Sequence, residues 1–206
     1  MFSWKRFKIN RLTKKLVVMQ RSRVHNPPTD DMLKKEREGY HLLASMYAPL
    51  EGKKKFPFAR ELRLACYRAS AMLDDATAQY IVGKSLLDEA KARESWEVLG
   101  LFASQSNVRM MTQLYEEALA YLEAAETLLH IEAKRLHGLC YINGWGLPED
   151  KKKGFELIVA SIQQENSWDR VPQIFASMGL NKPEFFSALT QMRNKPSDSH
   201  PIDHGW

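Results

Sequence analysis

The chain has little cysteine and no long apolar run. Only Cys66 and Cys140 occur among 206 residues, too few for a disulfide framework, so we expect two buried thiols in a reducing compartment. No run approaches the roughly 20 apolar residues that a membrane-spanning helix needs. The apolar run at residues 16–19 is shorter than the core of a signal peptide, which takes about 7–15 residues. These absences predict a cytoplasmic protein, peripheral to a membrane at most through a partner complex.

Acidic residues are missing from the start of the chain. Residues 1–23 carry eight Lys or Arg side chains and no acid, which leaves a net charge of −3 for the rest of a chain whose total is +5. Any electrostatic attraction of acidic partners therefore comes from this N-terminal segment. We call it the basic arm and define it as residues 1–28. The Pro27-Pro28 pair ends any helix in the arm by about residue 25.

The basic arm is also weakly amphipathic. Ile9, Leu12, Leu16 and Met19 follow a helical spacing, with basic residues between them. This pattern fits docking onto an acidic partner or onto the body of the protein, and it equally fits binding to anionic lipid or to nucleic-acid phosphates. In a eukaryote, it would also suit a mitochondrial presequence.

Patterns that carry chemistry are absent as well. Gly144-Trp145-Gly146 lacks the third glycine and the preceding strand of a dinucleotide site, and no phosphate-binding loop or paired Cys/His zinc motif occurs. We interpret His130, His137 and Cys140 as structural residues rather than metal ligands. The glutamates of residues 116–126 fit a solvated helical face. We therefore expect no enzyme, no catalytic residues, no cofactor and no metal.

Helical patterns fill the rest of the sequence, and no segment shows the alternation of a strand, so the predicted fold class is all-α. We expect a helix from the Thr29 or Asp30 cap to about Tyr47, and two short final helices starting near Pro172 and Pro183. Between them the predicted helices span about 59–73, 76–87, 88–103, 109–128, 131–142 and 151–164. Residues 194–206 are predicted to form a flexible tail.

Two of these helices repeat one pattern of small and large residues. Ala78 is followed by Gly83 five positions later and by Leu86 eight positions later, and Ala133 is followed in the same way by Gly138 and Tyr141. Small residues at these points let helix backbones approach closely, and the two glycines would otherwise be costly in a helix interior. Internal repetition of short helices is typical of stacked arrays that bind other proteins.

The run from residue 133 to 161 resembles the Sel-one-like repeat, a helix–loop–helix unit related to the tetratricopeptide class. Beyond the first helix, Gly144 and Gly146 match the loop of that repeat and Asp150 matches its acidic position. Gly154 departs from it, because the family usually has Ala there. The second helix of the preceding unit matches better, through Ala118, Tyr121, Ala124 and Ala125.

The resemblance implies a short α/α solenoid over residues 29–193. Its repeats would span 39–77 faintly, 78–130 with an inserted helix or loop at 87–107, and 131–165. The family's known role as scaffolds implies a non-enzymatic adaptor within a hetero-complex, for example a bacterial secretion or effector-recruitment complex that serves virulence, holding one or more proteins or a partner peptide.

We expect the partner to bind exposed positions of the first helices and residues that depart from the repeat. Trp145, between two loop glycines, either covers helix ends or anchors an interface. Insertions into repeats usually lie on the working face, which adds Trp96. The predicted binding residues are Gln79, Tyr80, Lys84, Trp96, Lys134, Arg135 and Trp145.

Overall fold

The computed structural model describes residues 2–101 and 103–193, and within these residues the protein is entirely helical, which confirms the predicted fold class. The predicted tail at 194–206 lies outside the described residues. In chain order the helices are α1 (Phe2–His25), α2 (Asp30–Tyr47), α3 (Ala59–Ala71), α4 (Ala76–Val98), α5 (Gln105–Thr127), α6 (Ile131–Asn143), α7 (Lys151–Glu165), α8 (Val171–Ser177) and α9 (Pro183–Arg193), with short 3₁₀ helices at Ala48–Leu50 and Trp168–Arg170.

Polar side chains fix the starts of five helices by accepting hydrogen bonds from unpaired backbone amides. The Thr29 hydroxyl accepts from Met32, and Asp75 and Asp150 accept from Ala78 and Lys153 at 3.0 and 2.9 Å. These caps confirm the predicted starts of α2, α4 and α7. Ser104 and His130 cap α5 and α6 in the same way.

The inserted segment differs from its prediction. The expected separate helix at 88–103 does not form, because α4 runs without a break from Ala76 to Val98. Nothing in that stretch interrupts a helix, and the ion pair of Glu89 with Arg93 lies four residues apart along it. Helix α4 ends where Gly100 takes a left-handed conformation, with a φ of 69°. The insertion therefore lengthens a helical hairpin.

Consecutive helices pack as pairs, with α2 against α3, α4 against α5, and α6 against α7. Three hydrophobic clusters follow this order along the chain. The first joins α1 to α3, the second lies mainly between α4, α5 and α6, and the third joins α6 and α7 to the C-terminal helices. The arrangement is that of stacked helix pairs, as the internal repetition predicts.

Facing glycines bring α6 and α7 into contact. A Cβ on Gly138 would lie 2.7 Å from the carbonyl oxygen of Gly154, and one on Gly154 would lie closer still to the carbonyl oxygen of Gly138. Gly154, which departs from the repeat pattern, is thus required by the close approach of these two backbones. Gly83 plays the corresponding part in α4, where Ala118 and Leu122 of α5 lie 3.1 Å from its added Cβ position.

The basic arm forms α1 and packs on the body of the protein. Ile9 and Leu16 are buried against α2, and a Cβ on Gly39 of α2 would lie 2.7 Å from a methyl group of Leu16. Near the end of α1, Arg23 pairs with the buried Glu36 at 3.4 Å. The apolar stripe of the arm is therefore occupied by its own protein.

Candidate partner-binding surfaces

The end of the α4–α5 hairpin carries a concentration of exposed apolar side chains. We call this surface the hairpin tip and define it by Trp96, Val98, Leu99, Leu101, Val108 and Met110. Their exposed fractions range from 40% at Trp96 to 82% at Val98. Single exposed apolar residues are common on proteins, whereas several near one hairpin end make this surface a candidate for binding.

A buried asparagine holds the two sides of the hairpin tip together. Asn107, on α5, is 7% exposed. Its side-chain nitrogen donates to Glu97 on α4 at 2.8 Å and to the carbonyl oxygen of Arg93 at 3.4 Å, while its oxygen accepts from the Arg93 guanidinium at 3.3 Å. Because both the oxygen and the nitrogen of its side chain bond to α4, Asn107 fixes the two sides of the hairpin tip relative to each other.

A second polar contact braces the hairpin about two turns further along α5. The Tyr115 hydroxyl donates to Glu94 at 2.6 Å. Burial and the adjacent Glu94 carboxylate both raise the pKa of Tyr115, so the hydroxyl keeps its proton and remains a donor. The backbone of Gly146 lies against the same ring, since a Cβ on Gly146 would lie 2.6 Å from the Cβ of Tyr115.

Trp145 packs against the neighbouring helix pair. Its indole is partly buried against the α4–α5–α6 cluster, and the Lys91 ammonium of α4 lies 3.6 Å from the ring centroid. The residue is therefore half-buried. Trp96 differs, because it lies on the hairpin tip with 40% of its surface exposed.

Two residues predicted on exposed positions of the first helices are not exposed. Gln79 is only 6% exposed, and its amide donates to the carbonyl oxygen of Ala71 at 3.3 Å. The prediction of an exposed Gln79 is wrong because the end of α3 covers this side of α4. Arg135 is likewise held inside its own helix pair, donating to Ser161 at 3.1 Å and to Glu165 at 2.5 Å.

The Arg135 contact belongs to a structural ion-pair network. Arg135 and Arg170 both pair with Glu165, and these contacts lower the pKa of its carboxyl group to about 2. These contacts tie α6 and α7 to the segment that follows them. Arg135 therefore has a structural role in the packing of α6 against α7.

The other predicted residues are spread out over the surface. Tyr80 stacks on His130, with ring centroids 4.8 Å apart, and Lys134 donates to Gln164 at 2.8 Å. Lys84 is exposed. The structure thus leaves Lys84 and Trp96 as the accessible members of the predicted set and does not bring the seven residues into one site.

The hairpin tip contains residues that the sequence did not single out. The insertion was predicted to be a working face, but only Trp96 was named within it. The signal for the rest was the run Val98-Leu99-Gly100-Leu101, in which three large apolar residues surround the glycine that ends a helix. A third helix would be needed to cover such a run, and the repeat pattern offers none there.

Ser70, Asp75 and His41 bring a hydroxyl, a carboxylate and an imidazole together, the three groups of a hydrolase triad. Asp75 accepts hydrogen bonds from Ser70 at 2.7 Å and from His41 at 2.6 Å while capping α4. Burial opposes ionisation of Asp75, but the hydrogen bonds from Ala78, Ser70 and His41 outweigh it and lower the pKa. Since Ser70 donates to the carboxylate rather than to the imidazole, the histidine cannot activate it as a base. The cluster joins α2, α3 and α4.

The residues weighed as metal ligands have structural partners. His130 caps α6 through Nδ1, and Nδ1 of His137 lies 2.8 Å from Glu126. Burial raises the pKa of the Cys140 thiol to about 12 and that of Cys66 to about 11, so neither supplies a ready thiolate. Across residues 2–101 and 103–193, no group of three or more His, Cys, Asp or Glu side chains is arranged to hold a metal ion.

Comparison of the chain with models of protein families, with curated proteins and with solved structures found no match. The resemblance to the Sel-one-like repeat therefore rests on the residues quoted for it. In the described part of the chain, no helix is both long and apolar enough to cross a membrane.

Proposed function

We propose that this protein is a non-enzymatic adaptor that binds an apolar segment of a partner protein at the hairpin tip. The observation that carries the proposal is the set of six exposed apolar side chains at the end of a hairpin that is longer than its neighbours. Helices α4 and α5 each have 23 residues, against 13 and 15 for α6 and α7. The extension thus displays apolar surface beyond the stack.

The energetics of the hairpin tip suit protein binding. Covering apolar surface contributes about 25 cal/mol for each Å² removed from water, and Trp96 is of the residue type enriched where binding energy concentrates. The Asn107 contacts preorganise the surface, which lowers the entropy that binding must overcome. Arg93 and Glu97 at its edge supply the polar rim expected of a specific interface.

The wider setting of the adaptor is proposed from the resemblance and from the cysteines. Two buried thiols suit a reducing compartment such as the cytoplasm. Membership of a hetero-complex, and the particular case of a bacterial secretion or effector-recruitment complex, follow from the family resemblance by analogy.

The test compares two variants of matched size in affinity purification. Leu99→Ser combined with Leu101→Ser changes the hairpin tip, and Leu42→Ser combined with Met72→Ser changes exposed apolar residues elsewhere. We expect the first variant to lose the co-purifying proteins that the second retains, as read by quantitative mass spectrometry. Equal recovery by both variants would contradict the proposal.

A photo-crosslinking residue at Val98, which is 82% exposed, locates the contact directly. The expected product is a covalent adduct between α4 and the protein whose recovery depends on Leu99 and Leu101. The same crosslinker at Met72 is the control and should give no such adduct.

A further inference from the structure

The outward face of α1 combines positive charge with exposed aromatic and aliphatic side chains. Viewed down the helix, the buried residues Ile9 and Leu16 lie on one side, and the opposite side holds Phe7, Arg11, Lys14, Val18 and Arg21 at helical spacing. Phe7 and Val18 are 60% and 65% exposed. Trp4 lies at the edge of this face and is 63% exposed.

Almost all of the charge on α1 is uncompensated. Of its eight Lys and Arg residues, only Arg23 pairs with an acid within residues 2–101 and 103–193. The loop at 53–58 adds to the basic surface, because the Arg6 guanidinium lies 5.8 Å from the centre of the Phe56 ring, close to the exposed Lys53 and Lys54. The protein outside the basic arm is net acidic, so the positive potential is concentrated on this end.

We propose that this outward face of α1 binds the anionic surface of a lipid bilayer. Polybasic helices are attracted to the negative potential of anionic lipids, and Trp and Phe side chains favour the boundary between headgroups and acyl chains. The phosphates of a nucleic acid would pair equally well with the Lys and Arg side chains of this face. The exposed Val18 and Phe7 between those side chains, however, gain nothing from contact with a phosphate backbone. The charge and the apolar groups together therefore favour a bilayer.

The mode of binding differs from that of a helix that inserts its apolar stripe. The stripe of α1 is buried against α2, where Leu16 is only 2% exposed. Contact with lipid therefore uses the basic side of the folded helix and a few side chains at its surface. Such contact is peripheral, reversible and sensitive to salt.

The experiment measures co-sedimentation of the full chain with phosphatidylcholine vesicles that contain or lack phosphatidylserine. Arg11→Gln, Lys14→Gln and Arg21→Gln are combined in one variant, and Lys84→Gln, Lys152→Gln and Lys182→Gln in a control that loses the same charge from exposed sites off α1. We expect the α1 variant to partition onto phosphatidylserine vesicles at least about tenfold less than the wild type, while the control binds as the wild type does.

Two further readouts complete the test. Binding should weaken as salt rises, and Phe7→Ser combined with Val18→Ser should weaken it while leaving all charges in place. The proposal is overturned if the wild type does not bind phosphatidylserine vesicles or if both charge variants lose vesicle binding equally. It is also overturned if the wild type binds duplex DNA or polyuridylate but not vesicles.

Circular dichroism checks that each variant is folded. Variants at Leu99 and Leu101 should keep vesicle binding, so this result is independent of the proposed function.

Discussion

At the scale of single residues, structural demands explain why the repeat pattern is kept or lost. Asp150 caps a helix, Gly144 takes a φ of 68° at the end of α6, and Gly138 permits contact with α7. These roles are local enough to be predicted from spacing. Gly154 appears in the sequence only as a departure from the pattern, because the need for glycine there comes from the backbone of another helix, α6.

The substitution Gly154→Ala tests whether the close approach of α6 requires glycine at this position. Alanine ordinarily stabilises a helix interior by about 1 kcal/mol relative to glycine. Here, however, the new methyl group would lie against the carbonyl oxygen of Gly138 and 2.7 Å from Cγ1 of Ile142. We expect overpacking to prevail and to lower the free energy of unfolding by about 1–3 kcal/mol in urea titrations. Lys152→Ala, an exposed change in the same helix, should stay within about 0.5 kcal/mol of the wild type. A stabilised Gly154→Ala variant would show that the helices can separate without cost.

At the scale of elements, the starts of α2, α4 and α7 were predictable from their caps, whereas the start of α5, predicted at 109 and found at Gln105, and the length of α4 were not. Capping residues such as Thr29 and Asp75 act on amides within three residues, so the sequence around them is sufficient. The sequence from 87 to 98 contains no helix-breaking residue, so the break predicted at 87–88 followed the length of the repeat and not a local stop signal. A further limit applies to the site: the insertion was recognised, but the exposure of its apolar residues depends on which helices are absent beside it.

Asn107 provides the test of how the hairpin tip is ordered. Asn107→Leu keeps the branched shape and the number of heavy atoms of the side chain and removes the hydrogen bonds to Glu97 and Arg93. We expect the local stability of the hairpin tip to fall by about 1–3 kcal/mol, because the half-buried Glu97 and Arg93 lose hydrogen bonds that involve charged groups. The loss should appear in hydrogen-exchange mass spectrometry as faster exchange over residues 93–110, with α6 and α7 unchanged.

A matched control separates this effect from a general weakening of α5. Gln113→Ala removes an exposed amide side chain from the same helix and should leave exchange in the hairpin tip as it is in the wild type. If Asn107→Leu also exchanges like the wild type, the tip is held by its apolar contacts alone and Asn107 does not organise it.

At the scale of the whole molecule, stability is distributed along a line of helix pairs. Each of the three hydrophobic clusters is built mainly from helices adjacent in sequence, and Tyr67 contacts the first two clusters. In such an arrangement a local loss of packing spreads to neighbours more than to distant pairs. The all-helical class and the pairing followed from the sequence, whereas the burial of Gln79 arose from a neighbouring helix end that the repeat pattern could not specify.

Leu16→Ala tests this one-dimensional view. Leu16 is 2% exposed and fills the space above Gly39, so its truncation should cost about 2–5 kcal/mol of the packing between α1 and α2. Because α1 is at the end of the stack, it can detach alone, and the global free energy of unfolding need not fall by the full amount. Hydrogen exchange should therefore accelerate throughout α1 and in the face of α2 that it covers, while α6 and α7 keep wild-type protection. Val18→Ala, at a 65% exposed position two residues away, serves as the control and should leave exchange in both regions unchanged. Faster exchange across all helices of Leu16→Ala would instead mean that the stack unfolds as one cooperative unit.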